Sequence, residues 1–600
     1  SDLGEGKDTI DYTNSQKAIV VDDINDNNTF EVKKGLETDT IKNIEHFKGT
    51  QFNDELTVNE NSTKDYIFET GKGDDIVKGG SGSDTIYFGE GNDIVIGSKG
   101  RDIYDGEAGI DTIDYSKSTK DLEVDMKETK GTLKEEGQEK DRFINMENIK
   151  TGEGDDIVKG SEIGNKIETG AGDDIIFENF GANSVDGGEG SDTISYSNTS
   201  EKNVVDLVLE IGKVGATEVD KLISIENVTT GSSNDQIFAK DNQSKNIFDG
   251  GDNIGDEINY SKYTTGVTVD LSKTTEQTIS LNDKDIIRNI EYVVGTDFND
   301  FITGSSVYNE ISTGLGNDTI WGAGAGNDKI RTGEGDDIVY NSDGIDDINT
   351  GAGNDTIKIS KIAEGGDNID GSTLIDTIDY SEYSSNLNVV NVTLNGSSIS
   401  TAQVKKIDGT NIVVNIKNIE NVVGSAGNDN ITGDDLVNKI EAGLGDDTID
   451  GGAGNDTIYG EAGNDIIYGK EGKDTIDGGT GNDTIDGGEG KDTIDGGEGD
   501  DHIYYSSGDD IIVGGNNTNV GDIIDFTNST LGVNLDLNTP DGVQQDLLNG
   551  SFITLSQIEN VIGSKKDDVF KSNVNVSNNI DGGDSTTDDD TISYITLEVN

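Results

Sequence analysis

Residues 443–514 read GLGDDTIDG GAGNDTIYG EAGNDIIYG KEGKDTIDG GTGNDTIDG GEGKDTIDG GEGDDHIYY SSGDDIIVG, a repeat of nine residues. Asp447, Asp456, Asp465, Asp474, Asp483, Asp492, Asp501 and Asp510 fall on this period without a slip. An isoleucine stands two residues after each, from Ile449 to Ile512, and Asn438 and Asp429 extend the register backwards. The glycines permit tight turns and positive φ. The segment after each aspartate alternates apolar and polar, as a half-buried strand does.

Two nonapeptides make one coil of 18 residues with a strand on each side. The isoleucines then meet inside, and successive coils stack at strand spacing, about 4.8 Å. Aspartates two repeats apart, such as Asp447 and Asp465, line one edge, while Asp456 and Asp474 line the other. Carboxylates that close repel unless a cation lies between them. Calcium suits the position, because it takes six to eight oxygens and glycine turns offer carbonyls. Magnesium suits it less, because it demands stricter geometry and gives up water reluctantly.

This pattern resembles the G-G-x-G-x-D-x-U-x repeat of RTX proteins, where U is a large apolar residue. The resemblance implies an all-β fold, a parallel β-roll or β-helix solenoid of nonapeptide coils. It also implies that calcium sits between consecutive turns, held by the motif aspartate and by carbonyls around the glycines. Carried onto this chain, that role falls on the ladder above and on in-phase aspartates elsewhere. An early block carries Asp75, Asp84, Asp93, Asp102 and Asp111, and a second carries Asp156, Asn165, Asp174, Asn183 and Asp192. Asp235 lies in a short degenerate block. A further block has Asp300, Asn309 and Asp318, slips by one residue to Asp328, and resumes with Asp337, Asp346 and Asp355. The slip at Gly322–Gly326 suggests a bulged turn. Asparagine keeps an oxygen but loses a charge, so weaker or empty sites are expected there. About 20 calcium ions are expected in all, supplying roughly 40 positive charges on six-to-eight-oxygen sites.

Between blocks lies a longer repeated module. It opens on DTIDYT at 8–13, DTIDYS at 111–116, DTISYS at 192–197, DEINYS at 256–261, DTIDYS at 376–381 and DIIDFT at 522–527. It closes on IEH at 44–46, MEN at 146–148, IEN at 225–227, IEY at 290–292, IEN at 419–421 and IEN at 558–560. These interrupted units resemble those of very large RTX surface proteins. The division expected is a first interrupted module at 1–70, then RTX blocks at 71–116, 152–197, 231–261, 295–381, 424–515 and 564–600, the last degenerate and opening another module. Insert modules at 117–151, 198–230, 262–294, 382–423 and 516–563 alternate with them. The modules are expected to continue the solenoid as wider coils. Tyr12, Tyr115, Tyr196, Tyr260 and Tyr380 would plug the junctions between coil shapes rather than bind a ligand. The variable stretches, 117–142 and 382–412 for instance, should form surface loops.

Composition bounds the function. Acidic residues number 120 against 44 basic, the net charge is −76, and only 30% of residues are hydrophobic. A chain this charged cannot offset backbone entropy by ordinary burial. Repetition and bound cations are the two escapes. No basic patch suits nucleic acid, no apolar run approaches a membrane span, and there are no cysteines to form disulfides. No signal-peptide pattern is read at Ser1, and the repeats run to both ends. A segment of a longer polypeptide, or a protomer covered by neighbours, is therefore expected. The chain has only His46 and His502, too far apart in sequence for H-E-x-x-H, and neither G-x-S-x-G nor a P-loop occurs. His502 and Trp321 are expected to be outward-facing strand residues.

The reading is a non-enzymatic, secreted, extracellular structural protein: a bacterial surface layer, fibre or adhesin stalk that folds and rigidifies on calcium. Type I export of an unfolded chain is what the resemblance implies. Self-assembly into a lattice or filament is a possible partner mode, as is a cell-surface glycan or protein anchor; nucleic acid and membrane insertion are not expected. The alternative is the calcium-dependent secretion and folding domain of a larger RTX enzyme or toxin.

Overall fold

The computed structural model describes residues 6–24, 29–127, 130–178, 181–216, 218–241, 244–281, 283–322, 326–359, 365–384, 388–406, 409–517, 520–547, 551–573, 578–583 and 590–595. All regular elements among them are strands. They fall into two units, residues 1–263 with 273–293, and residues 264–272 with 294–600.

In each unit, successive strands alternate between sheets built mostly of parallel pairs. In the first, Thr85–Glu90 pairs with Ile67–Lys72 and Ile103–Ala108, placing Ile86 between Phe68 and Tyr104. The strand between them in sequence, Ile94–Ile96, pairs instead with Ile76–Lys78 and Thr112–Asp114. In the second unit, Ile449, Ile467, Ile485 and Ile503 stack in one sheet. Ile458, Ile476 and Ile494 stack in the other with Ile512. All eight are at most 1% exposed. The isoleucine phase therefore builds a core one side chain deep on each face, and the period of nine carries the chain across at every turn. The fold is an all-β parallel β-roll.

The modules differ from expectation in part. The module at 117–151 does continue the solenoid as a wider coil, since Thr112–Asp114 pairs in parallel with Asn148–Lys150, 36 residues on. What differs is that the described residues of 117–142 supply strands rather than a surface loop. Leu122–Asp125, Gly131–Glu135 and Gln138–Ile144 form an antiparallel meander. Its last strand stacks in parallel on Ile103–Ala108, and its first strand carries Ile157–Lys159. The chain thus climbs past two strand positions and descends before resuming. Residues 382–412 likewise contribute to Val389–Thr393, Ser400–Lys405 and Asn411–Lys417, a second such meander. The physical reason is burial on one face only: Leu122, Val124, Leu133 and Phe143 point inward, while the polar outward residues conceal the alternation.

The module tyrosines are buried at these junctions. The hydroxyl of Tyr196 donates to Asp220 at 2.8 Å, that of Tyr12 to Asp39 at 3.2 Å, and that of Tyr115 to Asp141. Residues 323–325 of the expected bulge lie outside the described residues. The register nevertheless shifts there, since Asp318 N–H reaches Asp337 across 19 residues rather than 18. Trp321 is 42% exposed and stacks on Tyr340 at 3.9 Å. His502 bonds Asp525 at 2.8 Å beside the ring of Tyr504.

Candidate metal centre

Each motif aspartate has two separate tasks. Its Oδ1 accepts the backbone N–H of the residue one coil below. Asp474 accepts from Asp456 at 2.9 Å, and Asp492 from Asp474 at 2.9 Å. On the opposite edge Asp465, Asp483 and Asp501 continue the same ladder at 2.7–2.8 Å. The bond closes the turn between strands, where the parallel pairing itself supplies no acceptor.

The second oxygen has no partner. Oδ2 of Asp447, Asp456, Asp465, Asp474, Asp483, Asp492 and Asp501 is buried without a hydrogen bond, on residues at most 1% exposed. A buried, unsatisfied carboxylate oxygen is costly. Burial, reinforced by neighbouring carboxylates, pushes the Asp447 and Asp483 carboxyls up to about 8. Burial likewise pushes Asp492 up to about 7 and Asp456 and Asp465 up to about 6.

The open oxygen faces a second oxygen. A Cβ built on Gly469 would lie 2.6 Å from Asp474 Oδ2 and 2.3 Å from the Gly487 carbonyl of the next coil. One on Gly460 would meet Asp465 Oδ2 at 2.6 Å and Gly478 O at 2.5 Å. Carboxylate and carbonyl oxygens thus converge where no side chain fits. Such an all-oxygen donor set suits calcium. Among the described residues, no group of three or more His, Asp or Glu side chains could hold a metal ion, so the remaining donors are carbonyls and water. Calcium held by Asp474 and the turn carbonyls would neutralise the carboxylate ladder and tie coil to coil.

The in-phase aspartates are not equivalent. Oδ2 is also open in Asp75, Asp93, Asp111, Asp174, Asp192, Asp318, Asp337 and Asp355. In Asp84, Asp156, Asp235, Asp300 and Asp429 it accepts the N–H of Gly80, Gly152, Gly231, Thr296 and Ser425, at 2.6–3.3 Å. Hydroxyls of Ser98 and Tyr104 fill it in Asp102, and Ser342 reaches both Asp328 and Asp346. Asp510 continues the ladder, accepting from Asp492 at 3.0 Å. The asparagines replace the open oxygen by an amide donor: Asn165 donates to Glu147 O at 2.8 Å and Asn438 to Glu420 O at 2.9 Å. Asn183 donates to Gly181 O at 3.1 Å.

Turn handedness separates the two groups. The residue four before each open ladder aspartate has positive φ, whether Gly443 (110°), Gly452 (96°), Glu461 (72°) or Lys470 (78°). At Gly80, Gly152, Gly231, Thr296 and Ser425 it does not, and there the N–H turns into the carboxylate. Sequence reading missed Asp256, Asp376 and Asp522, whose Oδ2 is also open. The available signal was their place as the first residue of the module opening, the place Asp111 and Asp192 hold in phase.

Stacked parallel coils with rows of buried, all-oxygen turns define a calcium-binding β-roll. The sequence model of the RTX calcium-binding nonapeptide repeat matches residues 67–95, 89–113, 150–177, 159–194, 294–324, 323–348, 340–358, 418–435, 441–476, 468–503 and 477–512. The chain carries RTX calcium-binding repeats in multiple copies along its length. Comparison with curated proteins gave no match.

Proposed function

We propose that this chain is an extracellular structural protein, part of a surface layer, fibre or adhesin stalk, that becomes rigid when calcium fills its turns. The observation that carries this reading is the row of open, buried Oδ2 atoms from Asp447 to Asp501. A chain of net charge −76 cannot hold such a row together by its own hydrogen bonds. Inside a cell, where calcium is scarce, it stays expanded and suited to export. Outside, where calcium modules bind at roughly 10⁻⁴ to 10⁻³ M, ion binding to the folded state alone stabilises it by mass action. The shape obtained is then the function, and no catalytic step is assigned.

Electron microscopy and circular dichroism, with calcium and with excess chelator, test it. Elongated particles or assemblies should appear with calcium and disappear, with the β signal, in chelator. Unchanged particles and spectra in chelator would refute the proposal. At the residue level, Asp474→Ala should weaken calcium binding far more than Glu123→Ala, an acidic control in a meander strand. Equal effects would undo the ligand assignment.

A further inference from the structure

Three buried carboxylates outside every matched repeat repeat the geometry of the ladder. Asp256 and Asp376 open the fourth and fifth modules, and Asp522 opens the sixth. Each is at most 1% exposed, and each has an Oδ2 without a hydrogen-bond partner. In each the oxygen faces a glycine crowded by a carbonyl. A Cβ on Gly371 would lie 2.5 Å from Asp376 Oδ2 and 2.1 Å from Asn418 O. The corresponding distances are 2.9 and 2.0 Å at Gly250, to Asp256 and Asn289, and 2.4 and 2.1 Å at Gly514, to Asp522 and Gln557.

The carbonyls belong to a feature that recurs at the end of every module. The residue before the I-E or M-E pair is left-handed throughout: Asn43, Asn145, Ser224, Asn289, Asn418 and Gln557 have φ between 51° and 54°. Non-glycine residues pay a steric penalty for this conformation, and here it aims their carbonyls at the opening aspartate. The glutamate that follows completes the arrangement. Glu420 accepts the Asp376 backbone N–H at 2.9 Å, Glu559 that of Asp522 at 3.1 Å, and Glu291 that of Asp256 at 3.3 Å. The closing glutamate therefore stands where the next aspartate stands in the regular ladder. Ser372, four residues before Asp376, also has positive φ, at 72°, as in the open ladder turns.

We propose that the mouth of each of these modules is a calcium site, formed by the opening aspartate, the carbonyl of the left-handed residue and the closing glutamate: Asp256 with Glu291, Asp376 with Glu420, Asp522 with Glu559. The proposal rests on the reading of the regular ladder as calcium-binding. It turns each module from an interruption into a clasp, whose two sequence ends are joined through one ion. Asp111 with Glu147 and Asp192 with Glu226 have the same bonding, at 2.7 and 3.0 Å, and there the aspartate lies inside a matched repeat.

The test is calcium stoichiometry of the full chain by equilibrium dialysis, with circular dichroism alongside. In one variant Asp256, Asp376 and Asp522 are all changed to Asn; in another Glu291, Glu420 and Glu559 are all changed to Gln. The asparagine variant should fold, because Asn165 and Asn438 already stand at motif positions and donate their amides to carbonyls. It should bind three fewer ions and keep more β signal in chelator than the unmodified chain. The glutamine variant, which keeps an acceptor for the N–H, should need at least tenfold more calcium to fill the same three sites. An unchanged ion count and affinity in both variants would overturn the junction sites while leaving the ladder standing. No calcium bound to the unmodified chain would overturn the ladder reading itself.

Discussion

The coil at Asp456 and the coil at Asp429 share one motif and differ in bonding. The first follows GGAGN, the second GSAGN. In the first, Gly452 is left-handed and Asp456 Oδ2 is open. In the second, Ser425 is not left-handed, its N–H fills Asp429 Oδ2 at 2.6 Å, and its hydroxyl reaches Oδ1 at 2.9 Å. The same division recurs after modules. Thr50–Asp54, Gly152–Asp156, Gly231–Asp235, Thr296–Asp300 and Ser564–Asp568 all close on themselves. Each of these aspartates also accepts an N–H at the start of the first strand after the module opening, at Ile19, Leu122, Asn203, Val267 and Val533. The lesson is that an in-phase aspartate does not by itself make an ion site. In the regular ladder, the turn before it decides whether the second oxygen receives a proton donor or must wait for a cation.

Calcium removal should separate the two kinds of coil most strongly. Each filled site contributes about 2.7 kcal/mol at a hundredfold excess of free calcium over its Kd. In chelator, amides bonded to open aspartates, such as that of Asp456, should exchange with solvent far faster than that of Val390, which Asp429 holds at 2.8 Å. Equal exchange at both would break the comparison.

Acid should partly replace calcium. Burial holds the metal-free ladder carboxyls above their ordinary value, Asp465 at about 6 and Asp447 at about 8. The metal-free folded state therefore holds more protons than the unfolded one. Its stability must fall as pH rises through that range. In chelator, the β signal should be larger at pH 5 than at pH 8; with saturating calcium, acid should instead displace the ion. A chelated chain equally unfolded at both pH values would contradict the open-oxygen description.

Gly472→Ala should disrupt the ladder, because its Cβ would lie 1.4 Å from Gly454 O at a φ of 146°. Gly409→Ala meets nothing within 4 Å and should cost only the left-handed backbone term, roughly 1–2 kcal/mol. Thermal unfolding in calcium reads the difference, and similar losses would argue against close stacking of the turns.

Asp429→Ala should leave the ion count unchanged yet destabilise by about 1–3 kcal/mol, the cost of stranding buried N–H groups. A lost ion would show that the closed coil binds calcium after all. The smallest effect is expected of Ser425→Gly. It removes a side-chain hydrogen bond worth about 1 kcal/mol and should add no ion, because the coil closes in the same way where glycine already stands, at Gly152 and Gly231.

Much of this was legible in the residue order. The phase of Ile449 to Ile512 gave the two faces of the roll, and the spacing of Asp447 and Asp465 gave the edge they share. Tyr196 could be placed at a junction because the opening element stays in register with the preceding repeats. The meanders were not legible. Strands such as Gly131–Glu135 carry one inward apolar side chain, Leu133, between polar ones, and their pairing partners are set by contacts outside the segment. Nor was the role of Glu420 legible, since a glutamate among 120 acidic residues carries no mark until its oxygen is found on the N–H of Asp376.

The sequence by itself determined the period, and the period determined a roll, because nine residues make one strand and one turn wherever an inward isoleucine recurs. Only the tertiary structure decided which aspartates are open. That depends on the handedness of a turn and on whether an N–H, an amide or a carbonyl from another coil occupies the space beside the carboxylate. Those partners lie one coil or one whole module away along the chain, beyond the reach of a local motif.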